Sequence, residues 1–217
     1  MTETTDLKNF AVFTVDISSV EQKTGRSGNV YAIGLGSLPM PKGEAMPLRI
    51  VALDPFAGIL RSGTSTLVGR LGYDEQDGQG TLQFYPTRIE TAPQDGKYRN
   101  YVYLSLRVGQ DGDCRYSATG YFWSRVRMAL GQGKDGRGKY RPSLWLTVKA
   151  FTSRDGDETV PRLLAGLHKG DRATVAGRLV YEISPTSGKG YFHLLANKIE
   201  ITPISQSQAV SEGDCPY

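Results

Sequence analysis

The chain has 217 residues, enough for one large domain or two of roughly 100 residues each. No run approaches the roughly 18 apolar residues of a membrane helix, and MTETTDLKNF lacks the basic start and apolar block of a secretory signal. With only two cysteines, Cys114 and Cys215, far apart and one of them in the tail, no disulfide framework is expected and a reducing cytoplasm fits, while the formal net charge of +4 hides an uneven distribution.

Residues 1–96 carry 8 Lys+Arg against 11 Asp+Glu, residues 97–201 carry 18 against 9, and residues 202–217 carry two acids and no base. A basic second half points to a polyanionic partner, most simply nucleic acid. In chain order, runs rich in Val, Ile, Tyr, Phe and Thr predict strands at Phe10–Ser18, Val30–Gly36, Leu48–Leu53, Thr66–Leu71 and Thr81–Glu90. A second set follows at Tyr101–Val108, Tyr121–Leu130, Leu144–Phe151, Ala173–Tyr181 and Tyr191–Ile201. Between its third and fourth strands lies DETVPRLLAGLHKGD. Asp157 caps a helix there, Val160, Leu163, Leu164 and Leu167 fall at helical spacing, and Gly170 ends it. The first set has the shorter FAGILRSG at that place.

The two sets are copies of one module. TLVGRLGYDEQDGQGTLQFYPTRIE (66–90) and TVAGRLVYEISPTSGKGYFHLLANKIE (174–200) share Gly-Arg-Leu-x-Tyr, then Gly-x-Gly, then Arg/Lys-Ile-Glu. Upstream, PLRIVALD is matched to SLWLTVKA, which sets Arg49 and Pro55 at the places of Trp145 and Phe151. Three strands, a helix and two strands in about 100 residues is the order of the five-stranded OB barrel, whose bottom the helix plugs. The expectation is an all-β chain of two tandem OB-fold barrels, each with a short helix between strands 3 and 4. The domains are 1–96, 97–201 and a tail of 202–217. The connection TAPQDGKYRN is short, so the modules should hold a nearly fixed relation.

Nothing in the chain demands catalysis or a cofactor. GKDGRGKY (Gly133–Tyr140) imitates a phosphate loop, but Tyr140 stands where Ser or Thr must ligate magnesium, and the segment falls between strands. His168 and His193 have no ligand-spaced partners, so no metal is expected. The distinctive feature is an interleaving of bases and aromatics. In YFWSRVRMAL the period of two puts Tyr121, Trp123, Arg125 and Arg127 on one face. In SLWLTVKAF it does the same for Trp145, Thr147, Lys149 and Phe151, leaving Leu144, Leu146, Val148 and Ala150 for the barrel. Aromatics among cations form a stacking platform in an electrostatic groove, although either Trp could equally fill a core or an interface.

These segments, with YVYLSLRVGQDGDCRYSATG before them and LLAGLHKGDRATVAGRLVYE after, resemble the bacterial single-stranded DNA-binding protein family. The match rests on Asp113, Arg115 and Tyr116, on Trp145 six residues before Phe151, and on Lys169–Asp171 followed by Val175–Leu179. It covers the whole second module. The resemblance implies a non-enzymatic, sequence-tolerant binder of single-stranded DNA in replication, recombination or repair, in the cytoplasm at the nucleoid. It also implies a homodimer that assembles four OB folds.

Trp145 and Phe151 fall on two of the family's stacking positions. Lys134 and Ser184 stand about where two further aromatics are common, with Tyr121, Trp123, Tyr140 and Tyr181 as substitutes. Arg125, Arg127, Arg137, Lys139, Arg141, Lys149, Arg178 and Lys189 are the candidate phosphate contacts. Arg49, Arg70, Tyr73 and Arg88 are weaker candidates in the acidic first module. The family ends in an acidic stretch and Asp-Ile-Pro-Phe, which recruits replication and repair proteins. Asp214, Cys215, Pro216 and Tyr217 have the same character, with Cys for Ile, Tyr for Phe and a shorter linker. The alternative is an OB-fold scaffold of a primosome, recombination or mobile-element complex with weak nucleic-acid contact. An RNA-binding OB module fits the charge but not the family-like segments. Tryptophan exposure separates binder from scaffold.

Overall fold

Eleven strands run through the described part of the chain, alternating buried and open side chains as the sequence period requires. The structure, a computed structural model, describes residues 8–25, 27–76, 79–91 and 96–202. The tail residues Asp214, Cys215, Pro216 and Tyr217 lie outside the described residues.

The first barrel contains β1 (Asn9–Thr24), β2 (Val30–Leu38), β3 (Met46–Leu53), a 3-10 turn (Phe56–Gly58), β4 (Gly63–Gln76) and β5 (Gln79–Thr91). The second contains β6 (Asn100–Val108), β7 (Asp113–Tyr116), β8 (Phe122–Leu130), β9 (Leu144–Phe151), α1 (Thr159–Ala165), β10 (Arg172–Ile183) and β11 (Gly190–Thr202). In space the first five strands run β2-β3-β5-β4-β1 and close through β1–β2. The second set runs β6-β10-β11-β9-β8 and closes through β6–β8, with β7 added on β8. The pairs β3–β5 and β9–β11 are parallel. Both rings have the strand order of an OB barrel.

The repeat is written into the hydrogen bonds. Asn9 Nδ2 donates to the Leu71 carbonyl at 2.8 Å and Asn9 Oδ1 accepts from Leu71 N–H at 3.0 Å. Asn100 makes the same two bonds to Leu179, at 2.8 and 3.0 Å. The shared Gly-Arg-Leu motif marks a β-bulge in each barrel, after Val68 and after Ala176. A Cβ on Gly69 would stand 2.1 Å from the Tyr85 carbonyl oxygen, and one on Gly177 2.1 Å from that of Leu195. Only glycine permits the partner backbone so close.

The barrels are joined by more than their connection. β1 pairs antiparallel with β6, setting Phe10 against Tyr103 and Val12 against Tyr101. One face of this ladder enters the cores through Ala11, Phe13, Val102 and Leu104. The other carries Phe10 and Tyr101 to the surface. A backbone ladder between the barrels resists relative motion better than a loop alone.

Five expectations need correction. β1 runs to Thr24 because a bulge between Ile17 and Ser19 bends it from β4 onto β2. β7 was not expected; it has four residues and buries little, so apolar alternation does not mark it. α1 ends at Ala165, well before Gly170. Asp157 Oδ1 does accept the Thr159 N–H at 2.8 Å, and Leu164 and Leu167 are buried, but Leu163 faces out. The first barrel has a single 3-10 turn at the helix position.

The fifth correction concerns the match between β3 and β9. Both show the same burial sequence from Met46 and from Leu144. Arg49 pairs with Gln83 as Thr147 pairs with His193. Arg49 therefore corresponds to Thr147, and Pro47 and Leu53, not Arg49 and Pro55, stand at the places of Trp145 and Phe151. A slip of two residues keeps every side chain on its own face, so alternation cannot detect it.

Candidate nucleic-acid interface

The antiparallel register of β8 and β9 sets Trp123 against Phe151, Arg125 against Lys149, Arg127 against Thr147 and Ala129 against Trp145. The intervening residues, among them Val126, Met128, Leu146 and Val148, fill the barrel. Period two therefore forces the aromatic and cationic side chains onto one outer row. Trp145 is 48% exposed and Phe151 49% exposed. Trp123 is half-buried and stacks on Phe151, with centroids 6.1 Å apart and planes at 22°. Tyr121, exposed, continues the row beyond the start of β8.

Trp145 lies on a glycine. A Cβ on Gly109 would stand 2.3 Å from Trp145 Cζ3, so the ring rests against backbone. The Arg127 guanidinium is 5.5 Å from the ring centroid, within cation–π range. Past Phe151 the surface continues over β11 and β10. There Phe151, Leu195, Arg178 and Tyr101 share the lining of a cavity of about 420 Å³.

Acidic groups hold two of the row's cations. Asp113 on β7 accepts from Arg125 Nε at 3.2 Å and lies 3.6 Å from Arg115. Glu182 on β10 lies 3.6 Å from Lys149 Nζ. A hydrogen bond from Tyr191, helped by Lys149, holds the Glu182 carboxyl below its ordinary range. His193 is buried beside them, its Nδ1 3.8 Å from Glu182 and without a hydrogen-bond partner among the described residues. Burial first, and then Lys149, push its titration below the ordinary histidine value, so the ring is neutral near pH 7.

The phosphate-loop imitation forms part of the β8–β9 loop, residues 131–143. Asp135 Oδ1 accepts the N–H groups of Arg137 and Lys139, each at 2.9 Å, and both residues are exposed. Lys134 pairs across the loop with Tyr140, its Nζ 4.9 Å from the ring centroid. Arg141 leaves this group and reaches the first barrel, lining a cavity with Tyr85.

The other expected residues divide. Arg178 joins the groove, whereas Tyr181 sits on the opposite face of β10, packed on the core and over Gly190. Lys189 is exposed at the β10–β11 turn. Tyr73 packs against the first core, and Arg88 pairs with Glu90 at 2.7 Å, beyond the bulge. Arg49 and Arg70 approach Tyr85, which the sequence reading passed over, as it did Leu195, Gly109 and Glu182. Tyr85 and Leu195 alternate with buried Phe84 and Leu194, a signal present in the strands themselves.

Among the described residues, no group of three or more His, Cys, Asp or Glu could hold a metal ion. None of the described helices is long and apolar enough to cross a membrane.

The class is an all-β protein of two tandem OB barrels, with an open aromatic–cationic row on the second. No family model matches the chain, and no curated protein matches it. Among solved structures it is similar to the wild-type single-stranded DNA-binding protein of Thermus aquaticus. The TM-score is 0.62 at 19% identity, over 94% of this chain and 97% of that one. A deletion and point mutant of the same protein gives a TM-score of 0.63 at 18% identity, over 94% and 98%. At these identities the likeness is one of fold.

Proposed function

We propose that the protein binds single-stranded DNA with little sequence preference, coating and protecting exposed strands during replication, recombination or repair. The observation that carries this reading is the open row of Trp145 and Phe151 beside Arg127, Lys149 and Arg125. Large apolar rings left half-open among cations match the needs of unpaired bases on a phosphate backbone. A scaffold would bury its tryptophans, so the exposure of Trp145 favours the binder.

The chemistry follows from the geometry. Bases stack on Trp145, Phe151 and the Trp123 ring beside it, and arginine and lysine take the phosphates. The ion pair of Arg125 with Asp113 is a surface pair of about 0–1 kcal/mol, so a phosphate can replace that carboxylate at small cost, while the more enclosed Lys149 is held by Glu182. Counterions released from the strand make binding fall with salt. The fold likeness supports this reading, since the Thermus aquaticus protein is by name a single-stranded DNA-binding protein. We further propose a homodimer with four barrels, for which the exposed Phe10 on the β1–β6 ladder offers an apolar contact. The tail Asp214-Cys215-Pro216-Tyr217 would recruit replication and repair proteins.

The test is a titration of the intact protein with oligo(dT), following tryptophan fluorescence at two salt concentrations. Strong quenching that weakens with salt is the expected result. Absence of quenching together with absence of binding would return the scaffold reading.

A further inference from the structure

We infer that the first barrel carries a second subsite for single-stranded DNA, built on Tyr85 and completed by Arg141 from the second barrel's β8–β9 loop. This rests on the single-stranded DNA reading and extends the path of the strand from one barrel to the other.

The first barrel has lost the stacking residues of β9, since Pro47 and Leu53 occupy their places on β3. An aromatic ring returns one position over in the same groove. Tyr85 on β5 corresponds to Leu195 on β11, which lines the second barrel's groove beside Phe151. Tyr85 is set like Trp145. A Cβ on Gly72 would stand 2.3 Å from Tyr85 Cε2, just as one on Gly109 would stand 2.3 Å from Trp145 Cζ3. The Arg70 guanidinium is 5.7 Å from the Tyr85 centroid, against 5.5 Å for Arg127 and Trp145. The pattern of ring on glycine with arginine alongside thus occurs once in each barrel.

The ring is also held at its tip. Tyr85 Oη donates to Gln83 Oε1 at 2.5 Å, and Gln83 Nε2 donates to Asp74 Oδ2 at 3.1 Å. Tying down the hydroxyl fixes the ring without covering its face. Burial and then Asp74 raise the hydroxyl's titration, while Arg141, Arg70 and Arg49 lower it. Arg70 from β4 and Arg141 from the other barrel's loop lie at one ring, with the charge of Arg49 on β3 also felt there, in a module with fewer bases than acids. Among the described residues at the ring, the guanidiniums stand against the carboxylate of Asp74, which Gln83 engages. Its cavity, about 320 Å³, is lined by Tyr73, Asp74, Gln83, Tyr85, Arg141 and Pro142. Arg141 follows directly on Lys134, Arg137, Lys139 and Tyr140, and the loop forms a bridge from the Trp145 row to Tyr85.

The test uses the full-length protein and two oligo(dT) lengths: one just long enough to saturate tryptophan quenching, and one several times longer. Tyr85→Leu, which copies Leu195, and Arg141→Ala should each weaken the long oligomer about tenfold and leave the short one unchanged. Tyr85→Phe keeps the ring and loses only its tie to Gln83, so it should bind the long oligomer more tightly than Tyr85→Leu does. Ultraviolet crosslinking with 5-iododeoxyuridine placed along the long oligomer should label Tyr85. If Tyr85→Leu also weakens the short oligomer, its fold is damaged, and Arg141→Ala, an exposed loop change, decides. Unchanged long-oligomer affinity in Arg141→Ala and no label on Tyr85 would overturn the subsite while the Trp145 row stands. If the unmodified protein binds neither oligomer, both readings fall together.

Discussion

Trp123 and Phe151 face each other across β8 and β9 with ring planes at 22° and centroids 6.1 Å apart. Because they are cross-strand partners, the backbone ladder sets their separation before any ligand arrives. Less side-chain freedom remains to be lost when a base stacks on the pair.

The double change Trp145→Ala with Phe151→Ala removes two half-open rings of the row. Stacking contributes roughly 1–3 kcal/mol per base, so a loss of about 2–6 kcal/mol in oligo(dT) binding is expected. Both side chains are half-exposed, and thermal stability should change little. A folded double variant with undiminished affinity would sink the groove.

Gly109→Ala removes no ring but pushes the Trp145 ring off its seat. Binding should weaken by about 1 kcal/mol or more, with Tm nearly unchanged because the displaced atoms are the end of a surface side chain. Isothermal titration and a melting curve on one preparation separate the two effects.

Gly177→Ala acts on the fold instead. Its Cβ would meet the Leu195 carbonyl oxygen, which belongs to the ladder and cannot swing aside. Overpacking against backbone costs about 1–3 kcal/mol or more, and Tm should fall by several degrees. Gly69→Ala, against the Tyr85 carbonyl, should do the same. A Tm equal to that of the unmodified protein in either variant would mean the bulge tolerates a side chain.

Salt dependence reports phosphate contacts one by one. For single strands the slope of log Kobs against log salt is about −0.7 per neutralised phosphate. Arg127→Ala should make that slope shallower by about 0.7. Arg88→Ala, whose side chain is engaged with Glu90 outside the row, should leave it unaltered.

His193 gives a pH signature. Its folded-state titration lies below the ordinary value, so between the two the unfolded chain binds more protons. Its contribution to stability is therefore complete above the unfolded value of about 6.5 and is lost as pH falls through that value toward the folded one. Melting temperatures taken from pH 7.5 down to 5.5 should decline, and His193→Gln, which copies Gln83 at the matching place, should flatten that decline. An equal decline in both proteins would assign it to other groups.

Much of this was legible before the fold was known. Apolar alternation marks ten of the eleven strands, because a barrel wall must bury every second side chain. The same period places Trp145, Phe151, Arg125, Arg127 and Lys149 outward. The Gly-Arg-Leu repeat announces two copies of one module, and charge assigns the basic surface to the second. What remained hidden depends on register and on contacts between distant strands. A two-residue slip preserves alternation, so only the parallel pairing of β3 with β5 shows that Pro47 and Leu53 replace the stacking pair. Tyr85 reads locally as an ordinary strand tyrosine. Its arginines come from β3, β4 and a loop some 56 residues on, and only the closure of both barrels and their β1–β6 ladder brings these together. Local periodicity records which face a residue takes; which residues then share that face is decided by long-range pairing, and no short stretch of sequence carries it.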